Sequence, residues 1–173
     1  MKKADEQRRA LIEMTIGAAA DRGLDEFSLR HLASLAGTST TAIFQNFSGK
    51  AELLESALSL AIERDSAFHE ALSGECASGA CHTNPRPPLV HARFISEILL
   101  RLEEYPQCRD RIAQWLALRT NFWTGMLASL DATPGLAELV SQFVLMEEFY
   151  AHALHGDCTY ELLLAEPCRA LCA

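Results

Sequence analysis

The feature that most constrains the fold is a pair of short apolar helical patterns joined by a tight turn, at residues 28–47. Residues 29–36 repeat apolar side chains at the three- and four-residue spacing of an amphipathic helix. Gly37 follows, and glycine readily adopts the positive φ that ends a helix. A second short pattern covers residues 40–47. Two short helices around such a turn predict a helix-turn-helix, in which the second helix enters the major groove of DNA.

The second helix of this segment places its side chains on two faces. At 3.6 residues per turn, Ile43 and Phe47 lie on one side and are predicted to be buried. Thr41 and Gln45 lie on the opposite side, where an amide can pair with adenine and a threonine methyl group can touch a thymine methyl. Lys50 begins the next helix, where it can meet a phosphate. A solvated helical corner has the same spacing, so the pattern alone leaves both interpretations open.

Charge is distributed unevenly along the chain. The whole sequence has 15 Lys and Arg against 23 Asp and Glu, and its net charge of −8 argues against general nucleic-acid binding. Residues 1–50, called the head here, carry seven basic and six acidic side chains, so the acidic excess belongs to residues 51–173, called the body. We therefore predict a DNA-binding domain at 1–50 and a helical regulatory and dimerisation domain at 51–173.

Residues 8–54 resemble the DNA-binding head of the tetracycline-repressor (TetR/AcrR) family. The shared features are an amphipathic first helix, a small-residue and glycine turn, a short recognition helix with an aromatic pair, and Lys50 followed by Leu53 and Leu54. The resemblance implies an all-α protein, a homodimer that represses transcription and leaves a palindromic DNA operator when a small organic effector binds its body. The DNA-binding residues expected on this basis are Ser28, Arg30, Ser39, Thr40, Thr41, Phe44, Gln45 and Lys50.

Three residues of the second helix depart from the family's pattern. Phe44 stands where a phosphate-bonding Tyr is usual, Ala42 replaces a usual Thr, and Thr41 replaces a common Gly. Each neutral hydrogen bond lost in this way is worth roughly 0.5–1.5 kcal/mol. These departures leave the family's fold intact, and they bear on the affinity for DNA and on the target sequence.

The body shows further helical patterns at 50–73, 89–105, 107–131, 136–155 and 159–171, and a linker rich in small residues and prolines at 74–88. The last two helices resemble the dimer-forming pair of the family. Aromatic and methionine side chains are concentrated in two helices of the body, which is typical of ligand pockets, although any one of them is more often plain core. Arg119 is a candidate to hold a ligand by a polar contact, although an arginine usually lies at the surface. The expected ligand-binding residues are Trp115, Arg119, Phe122, Trp123, Met126, Phe143, Met146 and Phe149.

Two cysteines and a histidine in the linker support an alternative function. Cys76, Cys81 and His82 could respond to a metal or an oxidant, but their spacing is looser than a zinc signature and also suits a loop without a role. A second cluster comprises Glu148, His152, His155 and Cys158. It could bind zinc, but buried polar packing or a solvated helix edge is the more usual outcome.

The remaining motifs point away from catalysis and membranes. The sequence has no nucleophile–base arrangement, phosphate-binding glycine loop or strong metal motif, so we predict a non-enzyme without a cofactor or metal. A charged N-terminus without a following apolar run predicts a cytoplasmic protein with no membrane association.

A further alternative to the operator-binding repressor is a helical interaction module that has lost operator binding.

Overall fold

The computed structural model describes residues 2–77 and 89–128, and the regular structure within these ranges is helical throughout. An all-helical chain that begins with a helix-turn-helix is the fold predicted from the sequence. Within the described ranges, every helix is too short or too polar to span a membrane. The helices are α1 (Lys2–Arg22), α2 (Leu29–Leu35), α3 (Thr40–Phe44), α4 (Lys50–Ala77), α5 (Leu89–Leu99), a 3-10 helix (Pro106–Cys108) and α6 (Arg109–Ala128).

Two predicted helix ends are wrong. The prediction carried α3 to residue 47, but the helix ends at Phe44, where the amides of Asn46 and Phe47 both donate to the Ile43 carbonyl oxygen, at 2.9 and 3.0 Å. The prediction ended α4 before Gly74, but the helix continues to Ala77. A glycine inside a helix costs about 1 kcal/mol without ending it, whereas the prolines of the linker come later in the chain.

The segment between α5 and α6 also differs from the prediction. The predicted helix 89–105 ends at Leu99, and a turn region follows it. Pro106 begins the 3-10 helix that leads into α6, in agreement with its predicted place at the start of a helix. The predicted helices at 136–155 and 159–171 lie outside the described residues.

The chain divides into two packing units. The first comprises residues 1–64 and 90–112, and the second comprises residues 65–89 and 113–173. This division concerns packing, and the functional boundary after residue 50 stays a prediction. Among the described residues, the largest apolar side chains that are fully buried belong to the first unit: Leu11, Ile16, Leu24, Leu32, Ile43, Phe47, Leu53, Leu54, Leu58, Phe94 and Ile95.

Candidate nucleic-acid interface

Two serines begin the helices of the helix-turn-helix. The Ser28 hydroxyl accepts a hydrogen bond from the His31 amide, and the Ser39 hydroxyl accepts one from the Ala42 amide, each at 3.2 Å. Both serines have extended backbone, so each satisfies an amide that the first helical turn leaves without a helical partner. The two predicted N-caps are confirmed.

The turn between α2 and α3 depends on Gly37, whose φ is +60°. The Thr38 amide donates to the Ala33 carbonyl at 2.9 Å, and the Gly37 amide donates to the Ser34 carbonyl at 3.3 Å. These two bonds form a Schellman motif, which ends α2 and requires a left-handed residue at this position. The positive φ predicted for Gly37 is confirmed, and the motif fixes the direction in which the chain leaves α2.

The α3 segment, residues 39–47, buries one face and exposes the other. Ile43 and Phe47 retain only 1% and 2% of their accessible surface, which confirms the predicted buried face. Thr41 and Gln45 are exposed, and Phe44 keeps 54% of its surface. Among the other expected DNA contacts, Ser28, Arg30 and Ser39 are exposed and Thr40 is partly exposed.

Arg8 of α1 anchors the end of the α3 segment. Its guanidinium carbon lies 4.3 Å from the centroid of the Phe47 ring, a cation–π distance. Its Nη2 donates to Glu52 Oε1 at 3.2 Å and to Ser56 Oγ at 3.3 Å on α4. The exposed face of α3 is therefore presented from a segment that is held by both α1 and α4. No local pattern in the sequence pointed to this contact, because Arg8 and Glu52 are 44 residues apart.

Glu52 also fixes the start of α4. Its Oε2 accepts a hydrogen bond from the Ser48 amide at 2.7 Å, two residues before the helix begins. Hydrogen bonds from Ser48, and to a smaller extent the charge of Arg8, hold the pKa of the Glu52 carboxyl below its ordinary value. The carboxylate therefore stays charged where the chain enters α4.

Lys50, the expected phosphate contact, begins α4, and its side chain packs against the loop between α1 and α2. Its Nζ donates to the Phe27 carbonyl at 3.1 Å and to the Leu24 carbonyl at 3.4 Å, and it lies 5.5 Å from the centroid of the Phe27 ring. These carbonyls take two of the three N–H donors of the ammonium group. Lys50 thus holds the loop in this structure, and its contact with phosphate stays a prediction.

A cluster of three charged side chains, called the loop clamp here, ties the same loop to α5. Arg101 Nη2 and Nε donate to the Asp25 carboxylate at 2.6 and 3.2 Å, and Arg101 Nη1 donates to Glu97 Oε2 at 2.8 Å. That Glu97 oxygen also accepts the Leu24 amide at 2.9 Å. Because Asp25 and Arg101 are 76 residues apart, no local spacing in the sequence pointed to this cluster.

The loop clamp predicts a pH dependence of stability. Hydrogen bonding and charge from Arg101 hold the pKa of the Asp25 carboxyl below its ordinary value of 3.8. A pKa lowered in the folded state stabilises the protein above the unfolded pKa, and this stabilisation is lost as the pH falls through the folded value. Asp25→Asn removes it. We expect the urea midpoint to fall further in the wild type than in this variant between neutral pH and about pH 3.

The matched control for this prediction is Asp21→Asn, which changes an exposed aspartate at the end of α1 that lies outside the loop clamp. This variant should follow the wild type across the same pH range. Equal losses in the wild type and in Asp25→Asn would show that the Asp25 carboxylate makes no pH-dependent contribution to stability.

A buried polar cluster in the second packing unit contains two of the expected ligand-binding residues. The Trp115 indole Nε1 donates to Asp65 Oδ2 at 2.8 Å, and Arg119 Nε lies 3.9 Å from the same oxygen. Arg119 keeps only 4% of its accessible surface, so the expectation of a surface position is wrong. Burial is tolerated here because the carboxylate balances the charge of the guanidinium. Whether Trp115 and Arg119 bind a ligand stays a prediction.

The other expected ligand-binding residues are described only in part. Phe122 is partly exposed on α6. Trp123 and Met126 belong to the same helix, but their side chains lie outside what the structure describes. Phe143, Met146 and Phe149 lie wholly outside the described residues.

The metal and redox alternative falls mostly outside the described residues as well. Cys76 belongs to α4 and not to the linker in which it was predicted. Cys81 and His82 lie beyond the described ranges, as does the second cluster at residues 148–158. Within residues 2–77 and 89–128, no group of three or more metal-ligating side chains is found.

Comparison with known proteins agrees with this geometry. Residues 11–57 match the family model of the N-terminal domain of bacterial regulatory proteins, tetR family. No curated protein sequence matches the chain.

Three solved structures share the fold. One, assigned to the TetR family of transcriptional regulators, is from a Rhodococcus species; it is 18% identical, with a TM-score of 0.67 over 96% of this chain and 97% of its own. Another with the same assignment, from Mesorhizobium loti, is 12% identical, with a TM-score of 0.65 over 97% and 94%. The multidrug binding protein EbrR, complexed with imidazole, is 17% identical, with a TM-score of 0.58 over 95% and 94%.

Proposed function

We propose that the chain is a TetR-family regulator that represses transcription by binding a palindromic operator as a homodimer, because residues 11–57 match the family's N-terminal domain and the chain shares its fold with solved structures assigned to that family. A small organic effector bound in the body releases it from DNA. Two copies of the head would then bind two half-sites, whose separation is set by the dimer. In this proposal the α3 segment is the part of the head that lies in the major groove.

The exposed face of α3 is the observation that carries the proposal. Thr41, Phe44 and Gln45 project from a short helix whose opposite face is buried, so the helix can approach base edges without exposing its core. The N-cap at Ser39 and the motif at Gly37 hold the helix in one orientation before DNA arrives. Such preorganisation lowers the cost of binding.

The charges of the head favour weak binding by one copy. Arg8 is engaged with Glu52, and two of the donors of Lys50 are used by carbonyl groups. Arg30 on α2 is exposed, and in the described part of the chain no hydrogen bond or ion pair holds its guanidinium. With few cations per head, the affinity should depend only modestly on salt for each head, so two heads are required for tight binding.

The body supplies the proposed response to an effector. The structure of EbrR with imidazole gives one example of a protein of this fold with a small molecule bound. In this chain the proposed ligand-binding residues include Trp115 and Phe122 on α6, and aromatic side chains of this kind are common in the pockets of helical domains. Release from DNA requires that the effector bind the DNA-free state more tightly than the DNA-bound state.

Replacement of Gln45 tests the proposed DNA contact. Duplexes that bind the full-length protein are first selected from a random pool, and affinity is then measured by fluorescence anisotropy at several salt concentrations. Because a bidentate contact with a base contributes about 1–3 kcal/mol of discrimination and each dimer loses this contact in both half-sites, Gln45→Ala should weaken binding to the selected duplex by about 30-fold or more. It should barely change binding to random duplexes, which depends on phosphate contacts.

The matched control is Gln114→Ala, which removes the same side chain from an exposed position on α6 and should leave the affinity unchanged. Absence of any duplex that binds selectively and with salt dependence would reject the proposed function. Equal effects of the two glutamine variants would reject Gln45 as the contact.

A further inference from the structure

The α3 segment lacks the side chains that usually read guanine. From Ser39 to Phe47 the sequence contains no Lys or Arg, whereas guanine in the major groove is most often read by one of these two residues. The exposed Arg30 belongs to α2 and not to this segment. The exposed face of α3 is therefore uncharged. It favours bases that offer a methyl group, or a donor and an acceptor that can pair with a side-chain amide.

Phe44 is the most unusual member of this face. Its ring is 54% exposed, although the adjacent Ile43 is buried and Phe47 is buried three residues later. The ring has no hydroxyl, so it cannot donate to a phosphate. It lies three residues after Thr41 and immediately before Gln45, and this spacing places all three side chains on one side of the helix. An exposed aromatic ring at this position is stabilised most by burial against an apolar group of a binding partner.

Thymine and adenine provide the partners that this face fits. Thymine is the only one of the four DNA bases with a methyl group in the major groove, and apolar side chains, including Phe, pack on it. Adenine offers N6 and N7 to a glutamine amide in a bidentate pair. Because Phe44 and Gln45 are adjacent in the chain, the two contacts fall on the same or neighbouring base pairs.

We propose that each operator half-site presents A·T base pairs to α3, with Phe44 packed on a thymine C5 methyl group and Gln45 paired with an adenine. This inference rests on the proposed function, and it assigns the class of sequence that the head prefers. Phe44 thereby acts as a specificity residue, where a tyrosine hydroxyl would contact the phosphate backbone irrespective of sequence.

The test replaces the thymines of the selected duplex one at a time with deoxyuridine, which lacks only the C5 methyl group. Loss of one buried methyl group should weaken wild-type binding about fourfold at one position in each half-site. Phe44→Ala should bind the thymine and deoxyuridine duplexes equally at that position. Thr41→Ser, which removes the threonine methyl group from the same face, is the matched control and should keep the wild-type sensitivity there.

A second substitution tests the adenine contact in the same way. 7-Deazaadenine lacks the N7 acceptor, and at one adenine of the half-site it should weaken wild-type binding without affecting Gln45→Ala. A half-site whose adenines tolerate 7-deazaadenine at every position would overturn the Gln45 part of the inference.

The results separate this inference from the proposed function. Wild-type binding can be selective and salt-dependent while every deoxyuridine duplex binds as tightly as the thymine duplex. In that case the proposed thymine contact is wrong, but the proposed function as a DNA-binding regulator stands. If Thr41→Ser removes the sensitivity and Phe44→Ala keeps it, the assignment to Phe44 is wrong. If no duplex can be selected, the proposed function and the inference both fail.

Discussion

Phe47→Ala should lower the free energy of unfolding by about 3–5 kcal/mol, the usual cost of deleting a buried phenylalanine ring. The Phe47 side chain is 2% exposed, and the Arg8 guanidinium lies 4.3 Å from the centroid of its ring. The variant therefore loses apolar contacts in the core of the first packing unit and also the cation–π contact between α1 and the end of α3. Urea unfolding followed by far-ultraviolet circular dichroism measures the change.

Phe44→Ala is the matched control, because it deletes the same ring three residues earlier in the chain. Phe44 is 54% exposed, so its deletion should change the free energy of unfolding by no more than about 0.5 kcal/mol. The two variants thus distinguish Phe47, whose ring stabilises the fold, from Phe44, whose ring is exposed on the surface of α3. Similar stability losses in both would mean that Phe44 is part of the core and is not available to DNA.

The sequence predicted those parts of the head that local physical rules decide. A serine before a helical pattern satisfies amides of the first turn, a glycine after one can take a positive φ, and residues four apart share a helical face. Ser28, Gly37 and the pair Ile43 and Phe47 follow these rules, and the structure confirms each of them. Each of these features depends on residues within a few positions of one another.

The interactions that the sequence did not predict join distant parts of the chain. Arg8 contacts a helix 44 residues away, and Arg101 pairs with Asp25 across 76 residues. Pairing of this kind depends on how helices pack, and packing leaves no periodic signal in the sequence. Lys50 illustrates the consequence: its position suggested a solvent-facing phosphate contact, but tertiary structure brings carbonyl oxygens of the α1–α2 loop to its ammonium group.

Arg119 shows the same limit in the second packing unit. An arginine on a helix is expected at the surface, since burial of an unpaired charge is costly. A carboxylate 54 positions earlier, Asp65, makes burial possible, and the pairing can be recognised only once α4 and α6 lie side by side at this cluster. Arg119 is therefore an exception to the usual surface position of arginine, and the exception depends on a partner that is distant in the sequence.

Removal of Asp65 should have an effect as large as the loss of Phe47. Breaking a buried ion pair by deleting one partner typically costs about 3–5 kcal/mol, because the other charge stays buried without its counter-charge. Asp65→Ala removes the carboxylate 3.9 Å from Arg119 Nε and the acceptor of the Trp115 indole bond. Both tryptophans of the chain, at residues 115 and 123, belong to the second packing unit, so tryptophan fluorescence during urea unfolding reports its stability.

Two further variants distinguish the loss of charge balance from the loss of packing. Asp65→Asn keeps an oxygen that can accept the Trp115 indole hydrogen bond but removes the negative charge, so its stability should lie between those of the wild type and Asp65→Ala. Combining Asp65→Ala with Arg119→Met removes both charges and should recover much of the loss, since a buried pair can be replaced by apolar side chains at little cost. If the double variant is less stable than Asp65→Ala by the full cost of a second core substitution, the pair is not coupled and the destabilisation comes from packing alone.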